Sequence, residues 1–175
     1  MKTRLKVIVG LIAVLPLLVT SCFKDNSEDF PDFNEQLVKD LETIDNYLEA
    51  NNIPNVQQDP GGFIRYVIHR DSVGGKKPTL DSCVTANYVG KLLMNGQQFD
   101  DGTNISFPLN SVIDGWKIGI PLLNVGDSAT LYIPSGLGYG YYGFEPDIPS
   151  NANLIFNVGV TKVGTTYKSS DRSCN

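Results

Sequence analysis

From Gly62 onward the chain returns again and again to apolar and polar residues in alternation, interrupted by turn residues. Residues 63–69 set Ile64, Tyr66 and Ile68 against Arg65 and His69, the period of two of a strand with one buried face. Val84-Thr85-Ala86-Asn87-Tyr88 alternates again, and Asn95-Gly96 marks a hairpin-like turn before Gln97-Gln98-Phe99. Ser128-Ala129-Thr130-Leu131-Tyr132-Ile133 and Leu154-Ile155-Phe156-Asn157-Val158 supply two more strands. Only Trp116 to Leu123 departs from the pattern. There Ile118, Leu122 and Leu123 keep one apolar side of a short helix although Pro121 sits inside it. Strands with one helix packed across them predict an α+β domain over residues 62–164, enough for a single core.

The segment before this domain runs on a different period. Asp32 with Glu35 three residues later has the form of a capping box. Leu37, Leu41, Ile44 and Leu48 then recur along one face of an amphipathic helix, which Asn51-Asn52-Ile53-Pro54 ends. That stripe must be buried, either against the following domain or against a second copy of the helix. Residues 32–61 thus read as helix and linker, 22–31 as a polar, acidic tether, and 165–175 as a polar tail expected to be loose.

The first residues carry an address. Met1-Lys2-Thr3-Arg4-Leu5-Lys6 is positive, and the apolar run from Val7 to Val19 is too short to span a bilayer, so residues 1–21 read as an export signal. Leu18-Val19-Thr20-Ser21-Cys22 resembles a bacterial lipobox, in which Cys22 becomes the lipid-bearing first residue of the mature chain. Phe rather than Asp at position 23 resembles lipoproteins sorted to the outer membrane, on its periplasmic or external side. The acidic stretch from Lys24 to Asp29 resembles surface-export tags of some such bacteria. Without Lys2, Arg4 and Lys6 the formal net charge falls from −5 to −8, which disfavours nucleic acid and anionic membrane surfaces as partners. Membrane attachment would come from the acyl chains, at about 0.8 kcal/mol per buried CH₂. Cys83 and Cys174 are then left in an oxidising compartment, either paired or as one buried and one free thiol.

The remaining chemistry is narrowed by what is missing. His69 is the only histidine and sits at the polar end of a strand, a solvated position. With one His there is no zinc site of the usual type and no Ser–His or Cys–His nucleophile, so no metal or cofactor is expected. Gly136-Leu137-Gly138-Tyr139-Gly140 lacks the Lys-Ser/Thr and following helix of a phosphate loop. Asp100-Asp101 and the Glu145/Asp147 pair lack the ligand order of a calcium loop and read as solvated acidic loops. What stands out is aromatic: the sole tryptophan, in Val112-Ile113-Asp114-Gly115-Trp116, with Tyr88, Phe99, Phe107, Tyr139 and Phe156 in the same domain. Trp116 is either plain core or one wall of a ligand cavity, since small-molecule sites are aromatic-lined with a few polar groups. Such a cavity suits a reaction that needs no nucleophile. Rotation about an X–Pro amide meets a barrier of roughly 18–20 kcal/mol because resonance holds it planar. Apolar surroundings and a placed donor lower the cost of the twisted state.

Seven ordered runs, from Asn87-Tyr88-Val89-Gly90 to Ile148-Pro149-Ser150-Asn151-Ala152, resemble the FK506-binding-protein (FKBP) domain, a family of peptidyl-prolyl cis–trans isomerases. Between them lie Gly96-x-x-Phe99-Asp100, Phe107-Pro108-Leu109, Val112-Ile113-Asp114-Gly115-Trp116, Val125-Gly126-Asp127 and Gly138-Tyr139-Gly140, and Phe156 closes the set. The resemblance implies a twisted antiparallel sheet wrapped around a short helix, here preceded by the N-terminal amphipathic helix. It implies Trp116 as the floor of a proline pocket, Val112 and Ile113 as its edge, and Tyr88, Phe99, Phe107 and Phe156 as walls. The Ile113 N–H would meet a substrate carbonyl, Tyr139 would donate from a flap loop, and Asp100 would fix Tyr88 beside the twisting amide. Tyr88, Asp100 and Tyr139 are therefore the implied catalytic residues, and proline-containing polypeptides the implied partners. Three places depart from the pattern. Ile105 stands where an aromatic is common, Asp147 beside Ile148 places a charge at the rim, and Phe144 with Glu145 alters the flap. The expected function is a lipid-anchored isomerase assisting exported proteins. Its alternatives are a non-catalytic FKBP-fold binding module or chaperone on the envelope, and an anchored component of a surface assembly.

Overall fold

The computed structural model describes residues 32–175 except 73, 166, 169, 171 and 172. The signal, Cys22 and the tether expected over residues 1–31 lie outside the described residues. Asp32 caps helix α1 (Phe33–Ala50), its carboxylate accepting the Asn34 N–H at 3.0 Å. Glu35 pairs with Lys39 at 2.8 Å. The Asn51 and Asn52 N–H groups return to the Tyr47 and Glu49 carbonyls at 3.1 and 3.0 Å, which closes the helix before Pro54.

There follow β1 (Gln57–Gln58), β2 (Arg65–Arg70), β3 (Cys83–Leu92), β4 (Gln98–Pro108), α2 (Asp114–Gly119), β5 (Ser128–Ile133) and β6 (Leu154–Gly164). The strands form one antiparallel sheet in the order β1-β2-β5-β6-β3-β4. Asn95-Gly96 does turn β3 into β4. Gly96 has φ +71°, its N–H meets the Leu92 carbonyl at 2.9 Å, and the Asn95 side chain accepts the Gln97 N–H at 2.9 Å.

One face of the sheet carries the main core: Ile64, Ala86, Leu131, Ile133, Phe156 and Val158 pack on Trp116, Ile120 and Leu123. Helix α2 starts at Asp114, two residues ahead of the expected helix, and the Ile113 carbonyl accepts the Trp116 and Lys117 N–H groups at 3.0 and 3.2 Å. Pro121 falls in a 3₁₀ turn (Ile120–Leu122) at the helix end, where its missing N–H costs little. A Cβ at Gly115 would collide with Ile133, so this glycine lets α2 lie directly on β5.

The opposite face is covered in part by α1. Ile44 and Leu48 pack on Val67, Leu93, Tyr132 and Ile155, so this half of the apolar stripe finds its partner within the chain. Arg65, placed by alternation on the solvent side, is only 7% exposed. Its guanidinium makes two bonds of 2.8 Å to the Asp45 carboxylate of α1 and a third to the Gly62 carbonyl at 3.1 Å. The tail also departs from expectation. Strand β7 (Tyr167–Lys168) pairs with β8 (Ser173–Cys174), and Cys174 forms a disulfide with Cys83 at the start of β3. The Lys162 ammonium donates to the Cys174 carbonyl at 2.6 Å. A cross-link spanning 91 residues is worth on the order of 4–5 kcal/mol through the unfolded chain's lost entropy in the loop-closure account.

Candidate active site

Beside α2 the inner face opens into a cavity of about 330 Å³, lined by Tyr88, Asp100, Ile105, Phe107, Ser111, Val112, Ile113, Trp116, Tyr139 and Phe156. Each wall comes from a different element: Tyr88 from β3, Asp100 and Phe107 from β4, Phe156 from β6, and Tyr139 from the loop joining β5 to β6. Trp116 is 5% exposed. Tyr88 and Phe156 meet it edge-on with ring centres 5.1 Å away, at 83° and 80°, and Phe107 leans on it at 5.1 Å and 51°. Such pairs contribute about 0.5–1.5 kcal/mol each beyond buried area, so the floor is stiff. The indole N–H is the one buried side-chain polar atom without a partner among the described residues. Leaving a donor unpaired costs about 1–3 kcal/mol, and such exceptions concentrate where a protein has work other than stability.

The Tyr88 hydroxyl donates to Asp100 at 2.9 Å. Burial, then the hydrogen bond and charge of Asp100, pushes the Tyr88 phenol up to about 12. Burial and the same carboxylate push Tyr139 up as well. Both phenols therefore stay protonated donors at neutral pH. The Ile113 carbonyl closes the first turn of α2, while none of the described backbone hydrogen bonds uses its N–H. Ile113 itself lines the cavity.

Phe99 does not line the cavity. Its half-buried ring stands edge-on to two rings that do, Phe156 at 5.5 Å and 86° and Tyr139 at 6.4 Å and 84°. Gly90 makes room for it: a Cβ there would stand 2.7 Å from Phe156 and 2.8 Å from Phe99. The glycine ending the Asn87–Gly90 run is thus a requirement of the aromatic wall. Ser111 lines the cavity and was not anticipated. Its hydroxyl donates to the Pro108 carbonyl at 2.8 Å and locks the turn leading into Val112; a serine three residues after proline was the available signal.

The rim differs from expectation at Asp147, which is exposed and outside the cavity lining. Phe144 and Ile148 exchange backbone hydrogen bonds of 2.7 and 2.9 Å, and Ile148 is drawn into the core. Its neighbour in that tight turn is left facing solvent. Phe144 adds apolar surface to the flap, with its ring 5.9 Å from that of Tyr139. Ile105 holds the open edge, 45% exposed.

A larger groove, about 540 Å³, lies on the outer face beside the area covered by α1, and includes His69, Asn87, Ser128 and Asn157. Thr130 gives its one hydroxyl proton to Asn157 Oδ1 at 2.8 Å, so its oxygen accepts from His69 Nε2 at 2.7 Å. This polar relay contains no nucleophile–base pair, and its size alone assigns no chemistry. Among the described residues no group of three or more His, Cys, Asp or Glu is placed to hold a metal ion.

Residues 74–161 match the family model for FKBP-type peptidyl-prolyl cis–trans isomerases. The chain is 45% identical over 122 residues to the probable FKBP-type peptidyl-prolyl cis–trans isomerase FkpA of Neisseria meningitidis, a match covering 67% of this chain and 44% of that protein. It is 41% identical over 96 residues to FK506-binding protein 1 of Saccharomyces cerevisiae, covering 51% of this chain and 83% of that one. The crystal structure of FkpA from Escherichia coli is similar with a TM-score of 0.61 at 30% identity, over 74% of this chain and 62% of that one. A peptidyl-prolyl cis–trans isomerase from Pseudomonas syringae gives a TM-score of 0.63 at 27% identity, over 72% and 94%. The match thus spans less than half of the Neisseria protein and most of the yeast one.

Proposed function

The chain belongs to the FKBP-type peptidyl-prolyl cis–trans isomerase family, and on that premise we propose that it isomerises X–Pro bonds of exported polypeptides while anchored by lipid on Cys22. The observation that carries the reading is the cavity. Five aromatic rings enclose it, and Asp100 is its only charged lining residue. A proline ring seated on the Trp116 face between Phe107, Val112 and Phe156 leaves water together with its amide. The twisted amide has lost conjugation and carries a less polar carbonyl, so it tolerates these surroundings better than the planar one does. The Ile113 N–H and the Tyr139 hydroxyl hold substrate carbonyls on either side of the rotating bond. Asp100, held by Tyr88, faces that bond with its negative charge. No covalent bond forms or breaks, so positioning and desolvation carry the rate, each 1.36 kcal/mol off the barrier being worth about tenfold.

The anchor rests on the Leu18–Cys22 run behind an export signal, and Phe23 favours the outer membrane. The Cys83–Cys174 disulfide supports an oxidising compartment. Labelled palmitate is expected on the full chain and absent from Cys22→Ser; an unlabelled wild type removes the anchor. For the activity, the measurement is isomerisation of short X–Pro peptides by wild type, Tyr139→Phe and Asp100→Ala. Wild-type rates no higher than the uncatalysed ones, across several residues before proline, would reject the enzyme. Exposed Tyr142 and Phe144, at 76% and 63%, favour a second reading, a module that holds unfolded segments without turning them over. Peptide binding without rate gain is its signature.

A further inference from the structure

The loop that carries Tyr139 is fastened to the molecule by a residue outside the stretch matched by the family model. Asp40, in the middle of α1, is 3% exposed, a burial a carboxylate tolerates only when its oxygens are paired. Its Oδ2 accepts the Ser135 backbone N–H at 2.9 Å and also the Ser135 hydroxyl. Its Oδ1 accepts the Gln36 amide at 2.8 Å. The same Ser135 N–H reaches Asn153 Oδ1, just before β6, at 3.0 Å. Ser135 is fully buried and begins the 3₁₀ turn Ser135–Leu137 that leads from β5 to Tyr139. One serine at the foot of the flap thus ties together α1, the end of β5 and the start of β6.

The link from that serine to the cavity is short and stiff. The Leu137 N–H returns to the Pro134 carbonyl at 3.0 Å and the Gly138 N–H to the Ser135 carbonyl at 2.9 Å, which leaves Tyr139 as the next residue. Phe33, at the start of α1, presses on the same turn, its ring 2.8 Å from where a Cβ of Gly136 would stand. The helix does not need Asp40 to stay attached. Ile44 and Leu48 bury it against the sheet, and Asp45 pairs with Arg65 on β2. The two parts of α1 do different things: one part holds the helix to the sheet, and Asp40 holds the flap to the helix.

We propose that Asp40 is a positioning residue for Tyr139, setting through Ser135 the angle at which the flap presents that ring and hydroxyl to the substrate. The N-terminal helix is then a part of the catalytic unit. The proposal rests on the reading of Tyr139 as a substrate-facing donor. A misplacement of about 1 Å at a reacting group can cost on the order of 10²-fold in rate, so slack at Ser135 is enough to be felt at the cavity.

The test uses the full chain in detergent, with kcat and KM measured on one X–Pro peptide well below the unfolding temperature of every variant. Asp40→Ala is expected to lower kcat about tenfold with KM changed less than about twofold. Asp45→Ala, which cuts the other polar anchor of α1, is expected to keep wild-type kcat. In a Tyr139→Phe background Asp40→Ala is expected to add less than about a twofold loss, because its effect runs through the Tyr139 hydroxyl. Should Asp40→Ala fail to fold, Asp40→Asn with 3-fluorotyrosine at position 139 replaces it, and a ¹⁹F shift that moves in Asp40→Asn and stays in Asp45→Asn supports the proposal. Additive losses in the double variant, an unchanged ¹⁹F shift, or equal losses from Asp40→Ala and Asp45→Ala overturn it while leaving the Tyr139 reading in place. A Tyr139→Phe variant with wild-type kcat overturns both.

Discussion

The inner face of the sheet closes over α2 and Trp116, whereas the outer face is divided between α1 and a polar groove. On the inner face the walls are rings and aliphatic chains, and the buried donor there, Trp116 Nε1, has no partner. On the outer face the buried polar groups are paired: Asp40 with Ser135, Arg65 with Asp45, Thr130 with Asn157. One face thus works by excluding water around a cavity, the other by fixing distances with hydrogen bonds and an ion pair. Damage to the inner face should reach the rate directly, and damage to the outer face should register first as stability, Asp40 being the proposed bridge between them.

The strongest test of this division is Trp116→Ala. It is expected to destabilise the fold by about 3–5 kcal/mol in urea unfolding, and to abolish isomerisation under conditions where the variant remains folded. A loss under about 1 kcal/mol would show that the indole belongs to the site and not to the core. Next comes Arg65→Ala, with an expected loss of about 1–3 kcal/mol, since Asp45 is half exposed and recovers water when its partner goes. Its rate per folded molecule should match wild type, and a lowered rate would break the division between the faces.

Alkaline titration probes the inner face more gently. The Tyr88 phenol, raised from 10.0 to about 12 by burial and by Asp100, binds its proton more tightly folded than unfolded. Its contribution to stability is therefore complete below pH 10 and is lost as pH rises towards 12. Peptide turnover should accordingly stay flat between about pH 7 and 9, and a drop in that window would mean that a phenol titrates early. At the acid end, burial alone would raise Asp127, but bonds from the Asn124 and Ser72 backbone outweigh it and hold the carboxyl below its ordinary 3.8. That stability is present above the ordinary value and lost as pH falls below it. The smallest effect belongs to His69→Ala in the outer groove, where the exposed ring should cost less than about 0.5–1 kcal/mol and leave turnover unchanged.

The inner face was readable in the sequence because a strand that buries one side records it in alternation. Ile64, Leu131 and Phe156 follow that rule, and the rings of Tyr88 and Phe156 both meet that of Trp116. The outer face was not readable. Alternation says which side of β2 Arg65 occupies, but not that α1 lies across that side. Asp40 is no part of the Leu37, Leu41, Ile44 and Leu48 pattern, yet it shares a helical face with Ile44 and is buried with it. A hydrophobic pattern cannot register a carboxylate whose partner is a serine far along the chain. The place of Phe99 depends on the space above Gly90, a contact between two strands that alternation does not record. The polar composition of the tail points to a loose segment, but a covalent bond to β3 and a short strand pair outweigh composition.

The positions of Cys83 and Cys174 have a consequence for how the protein withstands proteases. Every cavity-lining residue, from Tyr88 to Phe156, lies between them in the chain. A single backbone cut anywhere in that interval, including in the exposed flap around Tyr142 and Phe144, leaves two fragments still joined by the sulfur bridge. The nicked protein keeps both halves of its site on one covalent body, and reduction rather than cleavage is what sets them free.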